Sequence, residues 1–519
     1  MDLSKAFDKM VLKNIMVNLW NAEIRGRIWR TILKINEYAK LTVSTPFGNT
    51  EEFTSNEILK QGSVLASTLA AMHIDDINKY FGNENLGTYY GEIKIENLLF
   101  QDDIVRFEDN EDGLNKANII LEIFENINKM EFHPLKTKVL KINTKSEKEI
   151  ILGTNKIGYV NEIKYLGDLI SNDGKIDEMI KERKNSINGI TAELVTILSQ
   201  INVETEIPAI IQYIQGIIIP KLLVNSETWN NITTKNIETL ESILTKSIKR
   251  ILKIPYSTPN MGLINELGIL SIKNEIIKRK INFLHSIING ESKILKDILY
   301  QQIELPGPTW IYNLKNIMNE MNIPTDFLEI EQISKYKMKK LIKNKIWQKQ
   351  QLELQTYIEN SHKCIKLKTN IFQPKKYLIE LSPNNAKTIL LARLRMINIK
   401  TNFKNKYDNL KCTFCAEDDE TLDHLITCKK LPEKCKILKQ LNAHTIYDDL
   451  YGDDIEKLRM LAEGISEMHE EMEDKTVNEE KLDIPNDLTK PYPVPNQISE
   501  NPESEFFKSC DSARDPVKL

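Results

Sequence analysis

Acidic residues far apart in the sequence could together hold divalent metal ions. Asp102 and Asp103 stand between two short apolar, β-prone runs, a pattern that predicts a hairpin whose turn presents both carboxylates. Asp2 opens a segment that can run from the end of a strand into a helix, so a second acidic turn can meet the first. Metal-assisted nucleotidyl transfer uses two cations ~3.5–4 Å apart, and Mg²⁺ prefers one or two carboxylates plus phosphate oxygens.

The Asp-Asp dipeptide alone carries no information, because the chain contains five such pairs, at 75/76, 102/103, 418/419, 448/449 and 453/454. A solvated acidic loop is the alternative interpretation of each pair. The apolar flanks distinguish the pair at 102/103, whereas the pair at 448/449 lies in a polar, helical stretch. We therefore assign possible metal chemistry to the first of these two pairs and none to the second.

A second set of residues has the spacing of a zinc site. Cys412, Cys415, His424 and Cys428 follow the pattern Cys-x2-Cys-x8-His-x3-Cys, which suits one tetrahedral Zn²⁺. Such a site can fold a loop with too small a core of its own, since the free energy of metal binding becomes free energy of folding. The alternative, three free or buried thiols beside an unrelated histidine, leaves the clustering unexplained.

Two kinds of sequence pattern must position these residues. Residues 1–145 mix short apolar runs with helical patterns, whereas from about residue 176 apolar residues recur every three, four and seven positions, as in amphipathic helices. The run Leu305-Pro306-Gly307-Pro308 is a breaker cluster that suits a boundary between subdomains. The pattern predicts a mixed first region followed by a long helical one.

Charge is unevenly distributed along the 519 residues. The net charge is −4, but the residues from 431 onward carry 11 basic and 21 acidic side chains, which leaves 59 basic and 53 acidic before them. The acidic tail therefore masks a mildly basic body. Residues 335–349 contain seven lysines and no acid. Two interpretations of that run stay open, a solvated helix face and a strip that faces phosphates.

Composition excludes several classes of protein. Apolar residues make up 41% and charged residues 28%, close to globular averages. The longest apolar stretch, 209–224, is interrupted by glutamine, proline and lysine, so no membrane span is expected. The first ten residues carry charges where a signal peptide would be apolar. Six cysteines in the whole chain are too few for a disulfide scaffold. We expect an intracellular protein, nuclear or cytoplasmic, that is not secreted.

Five segments occur in a familiar order. Residues 2–8 (Asp-Leu-Ser-Lys-Ala-Phe-Asp) resemble the first catalytic motif of the reverse transcriptases of non-LTR, LINE-type retrotransposons. Residues 61–65 (Gln-Gly-Ser-Val-Leu) resemble the second motif of that family, and residues 100–103 (Phe-Gln-Asp-Asp) resemble the third. Residues 130–137 resemble the fourth motif, and residues 165–167 (Tyr-Leu-Gly) resemble the fifth, the primer-grip turn. The resemblance covers about residues 1–435.

The resemblance implies an RNA-directed DNA polymerase that uses two Mg²⁺ ions, or Mn²⁺. Asp2 and Asp102 would hold both ions, with Asp103 as a supporting ligand. Lys136 would act near the pyrophosphate as a charge partner or general acid, unless it is simply one exposed lysine among many. Phe7 would lie beneath the incoming sugar and exclude a 2′ hydroxyl, unless it is simply a buried core aromatic.

Further residues would bind substrates. Gln61 and Gly62 would shape the pocket for template and nucleotide, and Leu166 and Gly167 would form the primer grip. The implied partners are an RNA template, a DNA primer and dNTPs, with no membrane. The Cys-Cys-His-Cys knuckle resembles one that many LINE-type proteins carry after the polymerase, where it is implied to contact RNA or DNA around a structural Zn²⁺.

The expected fold is α+β, a partial polymerase palm made of an antiparallel sheet with helices, followed by a mostly α-helical thumb and C-terminal region with a small zinc knuckle. We predict a palm at 1–145, followed at 146–305 by a unit of primer-grip turn, thumb and helical extension. A basic helical linker region follows at 306–405, the knuckle at 406–435, and an acidic, largely disordered tail at 436–519.

The chain departs from the family pattern at several places. Gln101 stands where the family has a small residue, and His133 stands where it has asparagine. The sequence begins one residue before Asp2, so we expect an N-terminally truncated copy without the fingers subdomain. Two alternatives stay open: an inactive relic that binds RNA or DNA through basic helices and the knuckle, and a zinc-stabilised helical module that binds proteins.

Overall fold

The computed structural model of the chain has an α+β fold with short sheets and many helices. It describes residues 1–3, 9–37, 39–55, 59, 63–82, 84–145, 148–201, 206–230, 232–361, 364, 366–368 and 373–482. The strands are β1 (Ala39–Leu41), β2 (Ser44–Thr45), β3 (Gly48–Asn49), β4 (Phe53–Ser55), β5 (Thr88–Tyr90), β6 (Ile93–Ile95), β7 (Asn97–Phe100), β8 (Asp103–Arg106), β9 (Val139–Leu140), β10 (Ile150–Leu152), β11 (Asn155–Ile157), β12 (Tyr159–Val160), β13 (Glu162–Tyr165) and β14 (Asp168–Ser171).

The helices occupy most of the chain after residue 176. The α-helices are α1 (Leu12–Asn21), α2 (Gly26–Asn36), α3 (Ala66–Asp75), α4 (Ile77–Phe81), α5 (Glu111–Asn128), α6 (Asp177–Ile201), α7 (Ile207–Tyr213), α8 (Ile219–Leu222), α9 (Thr234–Leu252), α10 (Asn260–Glu266), α11 (Ile272–Ile288), α12 (Lys293–Glu304), α13 (Trp310–Glu320), α14 (Phe327–Gln332), α15 (Lys335–Glu359), α16 (Tyr377–Glu380), α17 (Pro383–Arg393), α18 (Leu422–Thr427), α19 (Lys436–Gln440), α20 (Ile446–Leu450) and α21 (Ile455–Leu482). A π-helical turn (Ile214–Ile218) and a 3₁₀ turn (Lys400–Phe403) complete the set.

Short strand pairs make up the β structure of the first region. Pairs β1–β4, β2–β3, β5–β6, β7–β8, β10–β11 and β13–β14 are antiparallel, whereas β9 and β12 are parallel. The N-terminal segment lies between β8 and residue 132, since Asp2 bridges Asp103 and Leu3 bridges Phe132. Leu3, Ile104 and Phe132 are buried against helix α5 in one apolar cluster. This cluster fixes the sheet on which the acidic residues stand.

Amphipathic helices form the second region, as the apolar periodicity predicts. In α9, Leu240, Leu244 and Ile248 are fully buried on one face. The Thr233 hydroxyl caps the start of α9 by accepting a hydrogen bond from the Asn236 amide. In the part of the chain that the structure describes, no helix combines the length and the apolar composition needed to span a bilayer.

A buried ionic network joins four helices of the second region. Arg393 of α17 donates hydrogen bonds to Glu266 of α10 (3.2 Å), to the Leu450 carbonyl (2.8 Å) and to the Gly452 carbonyl (2.5 Å). The Tyr377 hydroxyl of α16 donates to the same carboxylate at 2.8 Å. The side chains of Arg393 and Glu266 are only 3% and 1% exposed, so both charges depend on each other for compensation.

Replacement of Arg393 by methionine should destabilise this region by about 3–5 kcal/mol, because the Glu266 carboxylate would stay buried without a cation. Thermal and urea unfolding followed by circular dichroism measures the change. Arg459→Met is the matched control, since Arg459 forms an exposed i, i+3 pair with Glu456 that is worth at most about 1 kcal/mol. Equal stability of the two variants would contradict a structural role for the network.

The C-terminal region differs from the predicted acidic tail. Residues from 436 onward form helices α19, α20 and α21, and Leu438, Leu458, Leu461, Ile465 and Met468 are buried in the same apolar cluster as α9 and α17. Up to residue 474, the acidic side chains of α20 and α21 are exposed or half-buried, so the strongly negative composition is compatible with folding. Residues 483–519, where proline is frequent, lie outside the described part of the chain.

Candidate functional site

The hairpin β7–β8 presents the acidic pair at its turn, as the apolar flanks predict. Phe100 pairs with Asp103, so Gln101 and Asp102 are the two loop residues. Gln101 has φ of +55°, a left-handed conformation that two-residue hairpin loops require and that non-glycine residues adopt at some cost. The turn therefore holds two carboxylates next to each other at the tip of the hairpin.

Asp2 lies directly opposite Asp103 on the neighbouring strand segment. The Ile104 amide donates to the Met1 carbonyl at 3.1 Å, which makes Asp2 and Asp103 a non-hydrogen-bonded antiparallel pair. Side chains of such a pair share one face of the sheet and lie close together. On the other side, the His133 amide donates to the Asp2 carbonyl at 2.8 Å. Residues about one hundred positions apart in sequence thus meet on one surface.

The electrostatics of this surface favour a cation. Burial raises the pKa of Asp103, and the negative charges of Asp102 and Asp2 raise it further. The positive charges of the Met1 amino group and of Lys136 oppose this rise in the pKa of Asp103. The Lys136 ammonium itself lies 3.0 Å from the Asp2 carboxylate. Like charges held this close repel one another, and a bound cation relieves the repulsion.

Lys136 reaches the carboxylates from a tight turn after Phe132. The amides of Lys136 and Thr137 both donate to the His133 carbonyl, at 3.1 and 2.9 Å. The Lys136 side chain is 62% exposed, so the ammonium can also reach a bound substrate. The structure therefore places Lys136 beside Asp2, at the surface where the sequence predicts metal-binding acids.

The predicted primer-grip turn is the tip of hairpin β13–β14. Tyr165 pairs with Asp168, and the two loop residues Leu166 and Gly167 both have positive φ, +46° and +88°, as a type I′ turn requires. Burial raises the pKa of Tyr165, and the charge of Asp103 is a further cause of that shift. The charge of Asp103 therefore acts on Tyr165, the first residue of the predicted primer-grip motif.

A buried arginine holds this hairpin against the helical region. Arg183 of α6 forms an ion pair with Asp168 and donates to the Leu222 carbonyl at 2.8 Å. Its guanidinium lies 4.8 Å from the centre of the Trp229 ring. Sequence reasoning missed Arg183, because nothing in the local pattern separates it from the lysines and arginines exposed on the same kind of helix.

Three predicted substrate-binding residues lie outside the described part of the chain, namely Phe7, Gln61 and Gly62. Their assigned roles stay predictions. The described residues of the acidic surface are therefore Asp2, Asp102, Asp103, Lys136 and the hairpin tip.

The acidic surface suits an ion that arrives with its own oxygen ligands. Within the described ranges, the ligand atoms of three or more Cys, His, Asp or Glu residues converge on one point at Cys412, Cys415, His424 and Cys428. The carboxylates of Asp2, Asp102 and Asp103 do not form such a group. Mg²⁺ usually takes one or two protein carboxylates plus phosphate and water oxygens, so an incomplete protein cage fits this ion.

The four predicted zinc ligands come together. The ligand atoms of Cys412, Cys415, His424 and Cys428 all lie within 4.8 Å of one another. The Cys412 and Cys428 sulfurs are 3.9 Å apart, close to the ~3.8 Å edge of a tetrahedron with Zn–S bonds of 2.3 Å. The Cys415 sulfur lies 3.3 Å from His424 Nε2. This donor set could hold a zinc ion.

Groups around the cluster shift the pKa values of its cysteines and orient its histidine. Backbone N–H groups of Glu417 and Asp418 lower the pKa of Cys415 to about 6, whereas burial raises the pKa of Cys412 to about 12. His424 turns Nε2 towards the sulfurs, and its Nδ1 lies 3.5 Å from the Asp418 carboxylate. A carboxylate on the second ring nitrogen fixes the orientation of a metal-binding histidine.

Glu420 joins the knuckle to the helical region. Its carboxylate is almost fully buried and accepts hydrogen bonds from the Thr413 amide (2.7 Å) and from the Lys400 amide (2.9 Å). Cys412, Cys428 and Leu425 belong to the same apolar cluster as the helices that precede them. The knuckle is therefore packed into the body of the protein. Sequence reasoning missed Glu420, since an acid beside Asp418 and Asp419 looks solvated.

Residues 1–169 match the family model for reverse transcriptase (RNA-dependent DNA polymerase). The matched part contains the hairpin β7–β8, Asp2, Lys136 and the tip of hairpin β13–β14. A domain of this kind has RNA-directed DNA polymerase activity in general, with a nucleic-acid template and primer, dNTPs and divalent metal ions as its partners. No curated protein matches the chain.

Proposed function

We propose that the chain is part of a LINE-type retroelement enzyme that extends a DNA primer along an RNA template by two-metal nucleotidyl transfer. The match of residues 1–169 supports the polymerase, and the order of the five motifs supports the LINE type. The single observation that carries the proposal is the cross-strand pair of Asp2 and Asp103, with Asp102 beside it and Lys136 at 3.0 Å.

The proposed roles follow from the positions of the side chains. Bound Mg²⁺ ions would activate the primer 3′ hydroxyl and stabilise charge on the leaving pyrophosphate. Asp2, Asp102 and Asp103 are the residues that would hold these ions. Lys136, whose ammonium lies 3.0 Å from Asp2, would contact the triphosphate and neutralise or protonate the leaving group.

Hairpin β13–β14 positions the primer end. The charge of Asp103 acts on Tyr165 at the end of β13. The ion pair between Asp168 and Arg183 holds the hairpin to the helix that begins the predicted thumb. The Asn225 side chain donates a hydrogen bond to the Leu166 carbonyl at 3.0 Å, which holds the turn in place beside the helical region. We propose that Leu166 and Gly167 hold the primer so that its 3′ hydroxyl points at the carboxylates, since misplacement by about 1 Å can cost 10²-fold in rate.

The knuckle extends the proposed contact with nucleic acid. Its four ligands would hold a structural Zn²⁺, which folds the loop between Cys412 and Cys428 against the helical region. Lysines around the cluster, including Lys411 and Lys430, lie at the surface, where they can meet phosphates.

Primer extension tests the proposal directly. The purified full chain is incubated with an RNA template annealed to a labelled DNA primer, dNTPs and Mg²⁺. We expect the primer to lengthen, and we expect extension to stop when Mg²⁺ is left out of the reaction, because the proposed transfer needs divalent ions at the carboxylates. Replacement of dNTPs by NTPs is the control for substrate class.

Binding of the primer–template without any extension would contradict the polymerase and favour an inactive nucleic-acid-binding relic. Absence of binding at low salt would favour a protein-interaction module instead. Extension that continues after complete removal of divalent ions would contradict the two-metal mechanism.

A further inference from the structure

Helix α15 carries a dense basic surface that lies outside the palm. Between Lys335 and Lys349 it contains seven lysines and no acid. Tyr336, Lys340, Lys343 and Trp347 follow one another at steps of four, three and four, so they line one face of the helix. This part of the helix is about 22 Å long, so it can follow several successive phosphates of a nucleic-acid strand.

The opposite face of α15 is anchored firmly. Met338, Ile342 and Ile346 are buried in an apolar cluster with residues of α11, α13 and α14. Further along, the Gln350 side chain accepts a hydrogen bond from the Ser271 amide (2.9 Å) and donates one to the Ile269 carbonyl (3.0 Å). The lysine face is therefore held on a rigid element and points away from the core.

The lysines lower the stability of the helix that carries them. The first turn of α15 contains no acid, although the helix dipole favours one there, and Lys335 and Lys337 occupy that turn instead. Lys335 and Lys339 are like charges at i, i+4, and Lys337 and Lys340 are like charges at i, i+3. With respect to the described residues, Lys337, Lys339 and Lys340 form no ion pair, whereas Lys349 lies 3.9 Å from Glu320. A polyanion would relieve this repulsion.

We propose that this face of α15, which we call the lysine strip, binds single-stranded RNA. Its defining residues are Tyr336, Lys340 and Lys343 along the centre, with Lys337 and Lys339 exposed on its two flanks. Lysines contact phosphates without regard to sequence, and a strip of them supplies the salt-sensitive part of the affinity. The proposal takes from the polymerase function only that the strand is the RNA template.

The aromatic side chain favours an unpaired strand over a duplex. Tyr336 is 76% exposed, which is unusual for a large ring, and lysines surround it. Unpaired bases stack on exposed aromatic rings beside a basic track, whereas the bases of a duplex are already stacked on one another. The combination of ring and lysines on one rigid face therefore fits a single strand.

Fluorescence anisotropy with labelled, unstructured single-stranded RNA tests the proposal, with the full chain and without dNTPs or added Mg²⁺. The triple variant Lys337→Gln, Lys339→Gln, Lys340→Gln removes three contacts, so the slope of log affinity against log salt should fall by about 2. At about 0.1 M salt the affinity should fall on the order of 100-fold. Tyr336→Ala should weaken binding about tenfold and leave the slope unchanged.

The matched control removes three exposed lysines from three other helices, by Lys235→Gln, Lys293→Gln and Lys439→Gln. The strip variant should unfold at the same temperature as wild type or higher, because it loses repulsion. Equal RNA affinity of strip and control variants would overturn the proposal. Stronger binding of duplex DNA than of single-stranded RNA, with no effect of Tyr336→Ala, would also overturn it.

These results separate the strip from the polymerase. A strip variant that binds RNA normally, in a protein that extends primers, would refute the strip alone. Loss of RNA binding in the strip variant of a protein that never extends primers would refute the polymerase and support the strip.

Discussion

Asp102→Asn and Asp103→Asn are each expected to abolish primer extension, with the rate falling by at least about 10³-fold, or about 4 kcal/mol of transition-state stabilisation. Asp103→Asn removes a negative charge from the face that Asp103 shares with Asp2, and Asp102→Asn removes one from the adjacent loop residue. The remaining acids then hold divalent ions too weakly to stabilise charge on the pyrophosphate. Single-nucleotide incorporation on a pre-annealed RNA template, measured over a range of Mg²⁺ concentrations, checks the prediction.

The matched control is Asp448→Asn. Asp448 also belongs to an Asp-Asp pair, but it lies at the surface on helix α20. The carboxylate of its neighbour Asp449 lies 2.7 Å from the Lys457 ammonium. We expect this variant to extend primers at the wild-type rate. RNA binding in the absence of metal should be unchanged or tighter in the palm variants, since they lose negative charge. If Asp102→Asn and Asp103→Asn both keep more than a tenth of the wild-type rate, the assignment of these carboxylates to metal binding is wrong.

Cys428→Ser should remove zinc and destabilise the C-terminal half of the protein by at least about 4 kcal/mol, because loss of a structural metal is among the largest single-residue effects. The thermal midpoint should fall by roughly 10 °C. The effect should spread beyond the loop, since Cys412 and Cys428 pack in the same apolar cluster as Leu425 and the preceding helices. Elemental analysis of the purified protein and thermal unfolding measure both quantities.

Cys510→Ser is the control for the loss of a thiol, because Cys510 lies outside the described part of the chain and outside the zinc pattern. A chelator should lower the midpoint of wild type to that of Cys428→Ser and leave the variant unchanged. Replacement of zinc by Co²⁺ should produce the absorption of a tetrahedral thiolate site. Wild-type protein that contains no zinc, with a midpoint equal to that of Cys428→Ser, would contradict the prediction.

The sequence predicted those features that depend on neighbours along the chain. The hairpin that carries Asp102 and Asp103 follows from two apolar runs around a polar pair, and the structure has it as β7–β8. The grouping of Cys412, Cys415, His424 and Cys428 follows from a spacing that covers only 17 residues, over which a short chain has few ways to fold. Helices α6 and α9 follow from the period of their apolar residues.

Only the tertiary structure decided which distant groups meet. Asp2 stands opposite Asp103 because residues 1–3 insert between β8 and residue 132, and no local pattern encodes that register. Arg183 and Glu420 look like exposed charges in the sequence, yet burial and specific partners make them the anchors of the hairpin tip and of the knuckle. Helices α19 to α21 fold despite their acidic composition, since their few apolar residues share one face. Burial is a property of the assembled chain, so composition alone could not show it.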